Sequence, residues 1–258
     1  MNKADLKTFL DEKALQYEVP EFIKDDPIQI PKMFTLKEDV EISGFLTSII
    51  AWGQRKTIIK NSTKLMQYMD NSPHDFLINH KDSDLKVFEN FVHRTFNSDD
   101  LLYFIYRLSY MYKEEGGIEN SFNSYFVKAN SEMKLGISLF KESFFSHEHL
   151  RRSQKHLPNP MKGSAAKRFN MYLRWMVRPS DKGVDFGIWK SIDKESLYLP
   201  LDVHSGNVAR KLGLLLRNQS DWKALEELMV HLRKFDPKDP SKYDFALFGM
   251  GVNGDIPR

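Results

Sequence analysis

A chain of 258 residues without a single cysteine holds no disulfide, no thiolate zinc site and no cysteine-ligated iron–sulfur cluster, so its chemistry rests on carboxylates, amines, imidazoles and hydroxyls. No run of about 18 apolar residues appears, and the opening MNKADLKTFLDEKALQYEVP is too charged for the apolar core of a signal peptide, which points to a soluble, cytoplasmic protein away from membranes. The net charge of +3 neither demands nor excludes a nucleic-acid partner, and where the charge lies matters more than its sum.

Periodicity and propensity predict helices over 4–16, 39–51, 55–70, 83–94, 98–113, 117–127, 131–143, 164–177, 203–216, 221–234 and 241–250, with no strand that pairs with another. Turn signals punctuate them at NSPHD (71–75), EEGG (114–117), HLPNPMKG (156–163), RPSDKG (178–183) and FDPKDP (235–240). The aromatics of LLYFIYRLSYMY (101–112) recur at helical spacing and read mostly as core, as do Trp175, Trp189 and Trp222. There is no internal repeat and no long linker, so the chain reads as one all-α domain, 1–258, with the Pro-rich elbow at 156–163 as the joint between two lobes.

Charge is uneven. Between Arg151 and Lys182 nine Lys or Arg residues face a single acid, Asp181. Ordinary solvated helix faces intersperse both signs, so this block reads as phosphate-binding, with Arg151, Arg152, Lys155 and Arg168 as its contacts. The stretch YLPLDVHSGNVARKLGLLL (198–216) raises a different question: Asp202 stands where a helix N-cap belongs, and a carboxylate there serves a cap alone or a cap and a reaction.

Three segments, in order, carry a resemblance. LPLDVH (199–204), followed by NVARKLGLL (207–215), resembles the signature of the helix-hairpin-helix DNA glycosylases, whose aspartate is the catalytic carboxylate; Asp202 takes that position. MKGSAAKRFNMYLRWM (161–176) is similar to the hairpin and following helix of the 8-oxoguanine type, where Gly-X-Gly-X-Lys presents a nucleophilic lysine. Here the pattern reads Gly163-Ser164-Ala165-Ala166-Lys167, with Ala165 in place of the second glycine and Lys162 as the second candidate amine. SGFLTSIIAWGQRKTIIKNSTKLM (43–66) is similar to the early helix ending in a glutamine turn, which gives Gln54 the place of the wedge that fills the gap left by a flipped base. A fourth segment, YDFALFGMGV (243–252), resembles a late helix whose polar residue and aromatic contact the base, here Asp244 and Phe248. Direct matches cover about a third of the chain, and 35 residues separate Lys167 from Asp202, an interval in which RPSDKGVDFGIW (178–189) reads as an insertion.

The resemblance implies an all-α, two-lobed fold with a cleft, its central lobe with the hairpin over 35–180 and its second lobe from 1–34 plus 195–258. It implies a base-excision enzyme acting on double-stranded DNA with a damaged base, an oxidised purine first among substrates, as a monomer and with neither metal nor cofactor. Asp202 would stabilise positive charge on the sugar, Lys167 would form a Schiff base, His204 would contact base or phosphate, and Lys162 and Gly163 would hold the DNA backbone. Two other classes fit the same residues: a structure-specific DNA-binding protein that keeps the fold without the reaction, and a helical interaction scaffold.

Overall fold

The computed structural model describes residues 2–255, and over them the chain is all-helical: eleven α-helices joined by short 3-10 turns and one small β-hairpin. Among these residues no helix is long and apolar enough to cross a membrane. The chain divides into two compact units, one of Met1–Phe22 with Asn159–Arg258 and one of Ile23–Pro158.

The second unit is built around α2 (Lys37–Ile49), in which every residue from Val40 to Ile49 is buried. A helix covered on all sides is a core helix, and its one buried acid is answered: Tyr112 donates to Glu41 at 2.7 Å and Lys37 lies 3.7 Å away. Against it pack α3 (Arg55–Tyr68), α4 (Pro73–Asn79) and α6 (Gly117–Lys128); α5 (Ser98–Glu114) packs on α4 and α6, and α7 (Met133–Phe144) on α6. Phe45 of α2 meets Phe104 and Phe144 at ring-centroid distances of 6.2 and 5.8 Å, an aromatic cluster at the centre of this unit.

One expectation is met in part and one fails, each for local reasons. The turn signal at 71–75 marks a turn, with Asn71 left-handed (φ +52°), but also opens α4, because Pro73 is its first helical residue, where a missing N–H costs nothing. The helix expected over 83–94 is instead a 3-10 turn, Asp84–Phe88, and then an antiparallel hairpin of β1 (Val92–His93) and β2 (Phe96–Asn97). Buried Phe88 and Phe91 share an i,i+3 spacing that the tighter turn satisfies, and the left-handed Arg94 (φ +56°) reverses the chain.

In the first unit, α11 (Tyr243–Asn253) lies against both α1 (Lys3–Tyr17) and α9 (Val203–Lys211). Two glycines permit the approach: a Cβ at Gly249 would stand 2.3 Å from the Tyr17 ring, and one at Gly251 would stand 2.8 Å from His204 Cβ. The unit is completed by α8 (Lys167–Val177) and α10 (Trp222–Phe235). The helix expected to run on to 216 stops at Lys211, because Gly213 turns left-handed (φ +70°) and the amides of Gly213 and Leu214 bond back to Arg210 and Ala209, a Schellman cap.

The division departs from the expected lobes, which placed residues up to 180 with the central lobe and residues up to 34 with the other. Residues 159–180 share a unit with Asp202: Trp222 N–H donates to the Gly163 carbonyl at 3.0 Å, Ser164 bridges to Asp221, and Arg174 binds Asp244. Residues 23–34 go the other way, with the turn Pro27–Gln29 packed on α2 and α3.

Candidate active site

Two helix N-termini make the centre of the first unit. The chain reaches α8 through a short turn, Pro160–Lys162, capped by the Asn159 side chain, and then Gly163 at φ +92°, where an added Cβ would meet no atom within 4 Å. The second left-handed residue of this turn is Ala166 (φ +50°), the N-cap of α8, so the strained alanine is one position beyond Ala165, which stands where the Gly-X-Gly-X-Lys pattern has its second glycine. Lys167 is therefore the first residue of α8.

Asp202 is the N-cap of α9, and its two oxygens do different things. Oδ1 accepts from the Ser205 amide at 2.9 Å and from the Ser205 hydroxyl at 3.2 Å, while the Asp202 amide donates to Ser205 Oγ at 3.0 Å, closing a capping box. Oδ2 faces Lys167 Nζ at 3.1 Å. Cap and ion pair thus occupy separate oxygens of one carboxylate. The Asp202 side chain is 9% exposed and that of Lys167 44%, so the carboxylate is held while the amine reaches solvent.

Beneath them lies a buried charge network that the sequence does not announce. Asp244, on the buried helix α11, binds Arg174 Nη1; Arg174 Nε donates to Asp185 at 3.3 Å; Arg178 donates to Asp185 at 2.7 Å and grips Asp239 through two bonds of 3.0 and 2.8 Å. Glu18 adds a further contact to Arg178 at 2.7 Å. Arg174 and Arg178 also lie over the Phe245 ring, at 4.4 and 5.3 Å. Burial pushes the Asp244 carboxyl up to about 6, against the pull of Arg174; Asp202 pushes the same way as burial and Lys167 opposes it. Asp185 comes from the segment 178–189, whose backbone is tied to α8 by Phe186 N–H to Trp175 O (2.8 Å) and Trp189 N–H to Met176 O (2.9 Å).

The other expected residues of this unit are spread around the pair. His204 is exposed and meets Phe248 edge-on at 5.9 Å, placing both on the contact between α9 and α11. Lys162 is exposed and its amine bonds to no described residue. Arg168, expected as a phosphate contact, is half-buried, and desolvation lowers its guanidinium to about 10.

Gln54, Arg151, Arg152 and Lys155 belong to the other unit. Gln54 is the N-cap of α3, exposed, with no capping bond from its side chain; it follows Gly53, at φ +101°. Arg152 is committed internally: it donates to Asp100 (2.7 Å), to Asn97 (2.5 Å) and to the Thr95 carbonyl (2.8 Å). Buried Asp100 also collects Ser153 (2.6 Å) and His156 (3.1 Å), so Arg152, expected as a phosphate contact, has this internal role as well. Arg151 and Lys155 remain exposed, without a bond to any described residue. Sequence reasoning missed the neighbourhood of Gln54 altogether: His93 Nε2–H donates to the Trp52 carbonyl at 3.1 Å, its Nδ1 accepts from Asn61 at 2.9 Å, and the Trp52 ring lies against both His93 and His156.

The chain belongs to the family described as a protein of unknown function, DUF2400, whose model matches residues 26–253. No curated protein and no solved structure matches it.

Proposed function

We propose that this member of the DUF2400 family is a divergent helix-hairpin-helix DNA glycosylase with a lysine-dependent lyase step, acting on duplex DNA with a damaged base, an oxidised purine first among candidates. One observation carries the reading: Lys167 and Asp202, singled out by two separate sequence motifs 35 residues apart, have their charged atoms 3.1 Å apart at the starts of two helices. The turn before α8, with Gly163 open to space, supports backbone approach by a phosphate.

The geometry supports the following chemistry. As the C1′–N bond breaks and its electron pair leaves with the base, positive charge grows on the sugar and the Asp202 carboxylate opposes it. Lys167 passes a proton to Oδ2 across the 3.1 Å bond, and a water relays that proton from Oδ2 to the departing base, which restores the carboxylate. The freed amine closes on C1′ to form the new C–N bond, and transfer of a proton from that nitrogen to O4′ breaks the C1′–O4′ bond and yields the iminium. The Ser205 bonds keep Oδ1 fixed throughout, so Oδ2 meets the sugar without reorganising.

Incubating the protein with a panel of lesion-bearing duplexes and borohydride tests this directly. Reduction of the iminium should leave a covalent protein–DNA adduct with one lesion class, and Lys167→Ala should abolish it. Salt-dependent duplex binding with no base release on any lesion would leave a DNA-binding protein that lacks the reaction.

A further inference from the structure

The tip of the β1–β2 hairpin carries Arg94, a residue that no motif marks. Its backbone is left-handed (φ +56°) without the licence of a glycine, a conformation that persists where the surroundings impose it. The hairpin is anchored on three sides: His93 to Trp52 and to Asn61, and the Thr95 carbonyl to Arg152. The Arg94 side chain lies flush on Gly53, where an added Cβ would stand 3.0 Å from Nη1 and 3.3 Å from Cδ. Arg94 is nevertheless exposed and makes no hydrogen bond or ion pair with any described residue. Its donors are thus held in place beside Gln54 and left unused.

Arg152 pins the segment Arg151–His156 to the hairpin through the Thr95 carbonyl, and Arg151 and Lys155 of that segment are exposed. The acid at the heart of that contact, Asp100, is fully buried and engaged by Arg152, Ser153 and His156. A guanidinium packed on Gly53 with its donors unspent suits an oxyanion with several acceptors, such as a phosphate of a nucleic-acid backbone.

We propose that Arg94 is a backbone phosphate contact on the DNA-binding surface that carries Gln54. The proposal rests on the DNA-binding reading above and adds to it a residue outside every motif. Its chemistry requires loss of affinity that is independent of base sequence, because phosphates carry no sequence information.

The test is a salt titration of duplex binding by the full chain, using two undamaged duplexes of unrelated sequence and one with a stable abasic analogue. Arg94→Ala should weaken binding several-fold on all three and shallow the slope of log affinity against log salt by about 0.9, one lost contact. Arg94→Lys, which keeps the charge, should restore most of the slope, and circular dichroism should show both variants folded. Wild-type affinity and slope in Arg94→Ala would overturn the assignment, and so would a loss confined to one base sequence. If the wild-type chain itself shows no salt-dependent binding to any duplex, the DNA-binding reading falls and this proposal with it; normal wild-type binding with an indifferent Arg94 would sink the proposal alone.

Discussion

A single carboxylate that caps a helix with one oxygen and holds an amine with the other can be taken apart by one substitution. Asp202→Asn keeps an Oδ1 that accepts from the Ser205 amide, so the cap on α9 survives. Its second position becomes an amide NH2 facing Lys167, with no charge to offer the sugar. The partly exposed ion pair contributes little to stability, so the thermal midpoint should move by a few degrees at most. Single-turnover base release should fall about a hundredfold or more. Undiminished release would reduce Asp202 to a cap. Asp244 offers a different measurement. Its carboxyl is raised to about 6, chiefly by burial, so between the usual carboxylate value and about 6 the folded state binds the proton more tightly than the unfolded chain does. The stability of wild type relative to Asp244→Asn should therefore fall as pH rises from about 4 to about 6, by up to about 1.4 kcal/mol per unit, and level off above that. Urea unfolding of both proteins across this range checks the sign, and parallel curves would remove Asp244 from the role.

At the level of the helix, the start of α8 is where conformation and site meet. Ala166 sits at φ +50° and is 3% exposed. Glycine there would relieve about 1–2 kcal/mol of left-handed strain but lose about 0.8 kcal/mol of buried methyl and add unfolded-state freedom. These terms nearly cancel, so Ala166→Gly should change unfolding free energy by less than about 1 kcal/mol. Ala166→Val should cost more than about 2 kcal/mol, since a β-branched residue tolerates that backbone badly; denaturant melts distinguish the two. Elements with helical periodicity or propensity, or with a cap, were legible in the sequence: α1 and α5 close to the expected 4–16 and 98–113, and α9 through its N-cap Asp202. The β1–β2 hairpin was not, because its strands are two residues long and its turn uses a left-handed arginine in place of Gly or Asn. Lys167 and Asp202 were found through motifs, whereas their meeting at 3.1 Å is a tertiary fact that no local window contains.

Across the molecule, the basic block between Arg151 and Lys182 shows how a local count of charge misleads. Nine cations against one acid is the balance along the chain. In space Arg152 finds Asp100, Arg174 finds Asp244 and Asp185, and Arg178 finds Asp185, Asp239 and Glu18, so much of the excess is neutralised by acids distant in sequence. Buried guanidinium groups are retained only when so paired. The block also spans the division between units, which falls at Pro158 and Asn159. That division has a temporal side. The unit of Ile23–Pro158 is continuous and is finished on the ribosome before Lys167 or Asp202 has been made, whereas the other unit begins with α1 and must wait for α11 to cover it. Until then the stripe of Leu6, Leu10, Ala14 and Tyr17 lacks its partner, and Asp244 has yet to reach Arg174. A nascent chain halted before α11 therefore carries the exposed cations of the first-made unit without the buried network complete, and Lys167 acquires its full surroundings only once the last described helix has been translated.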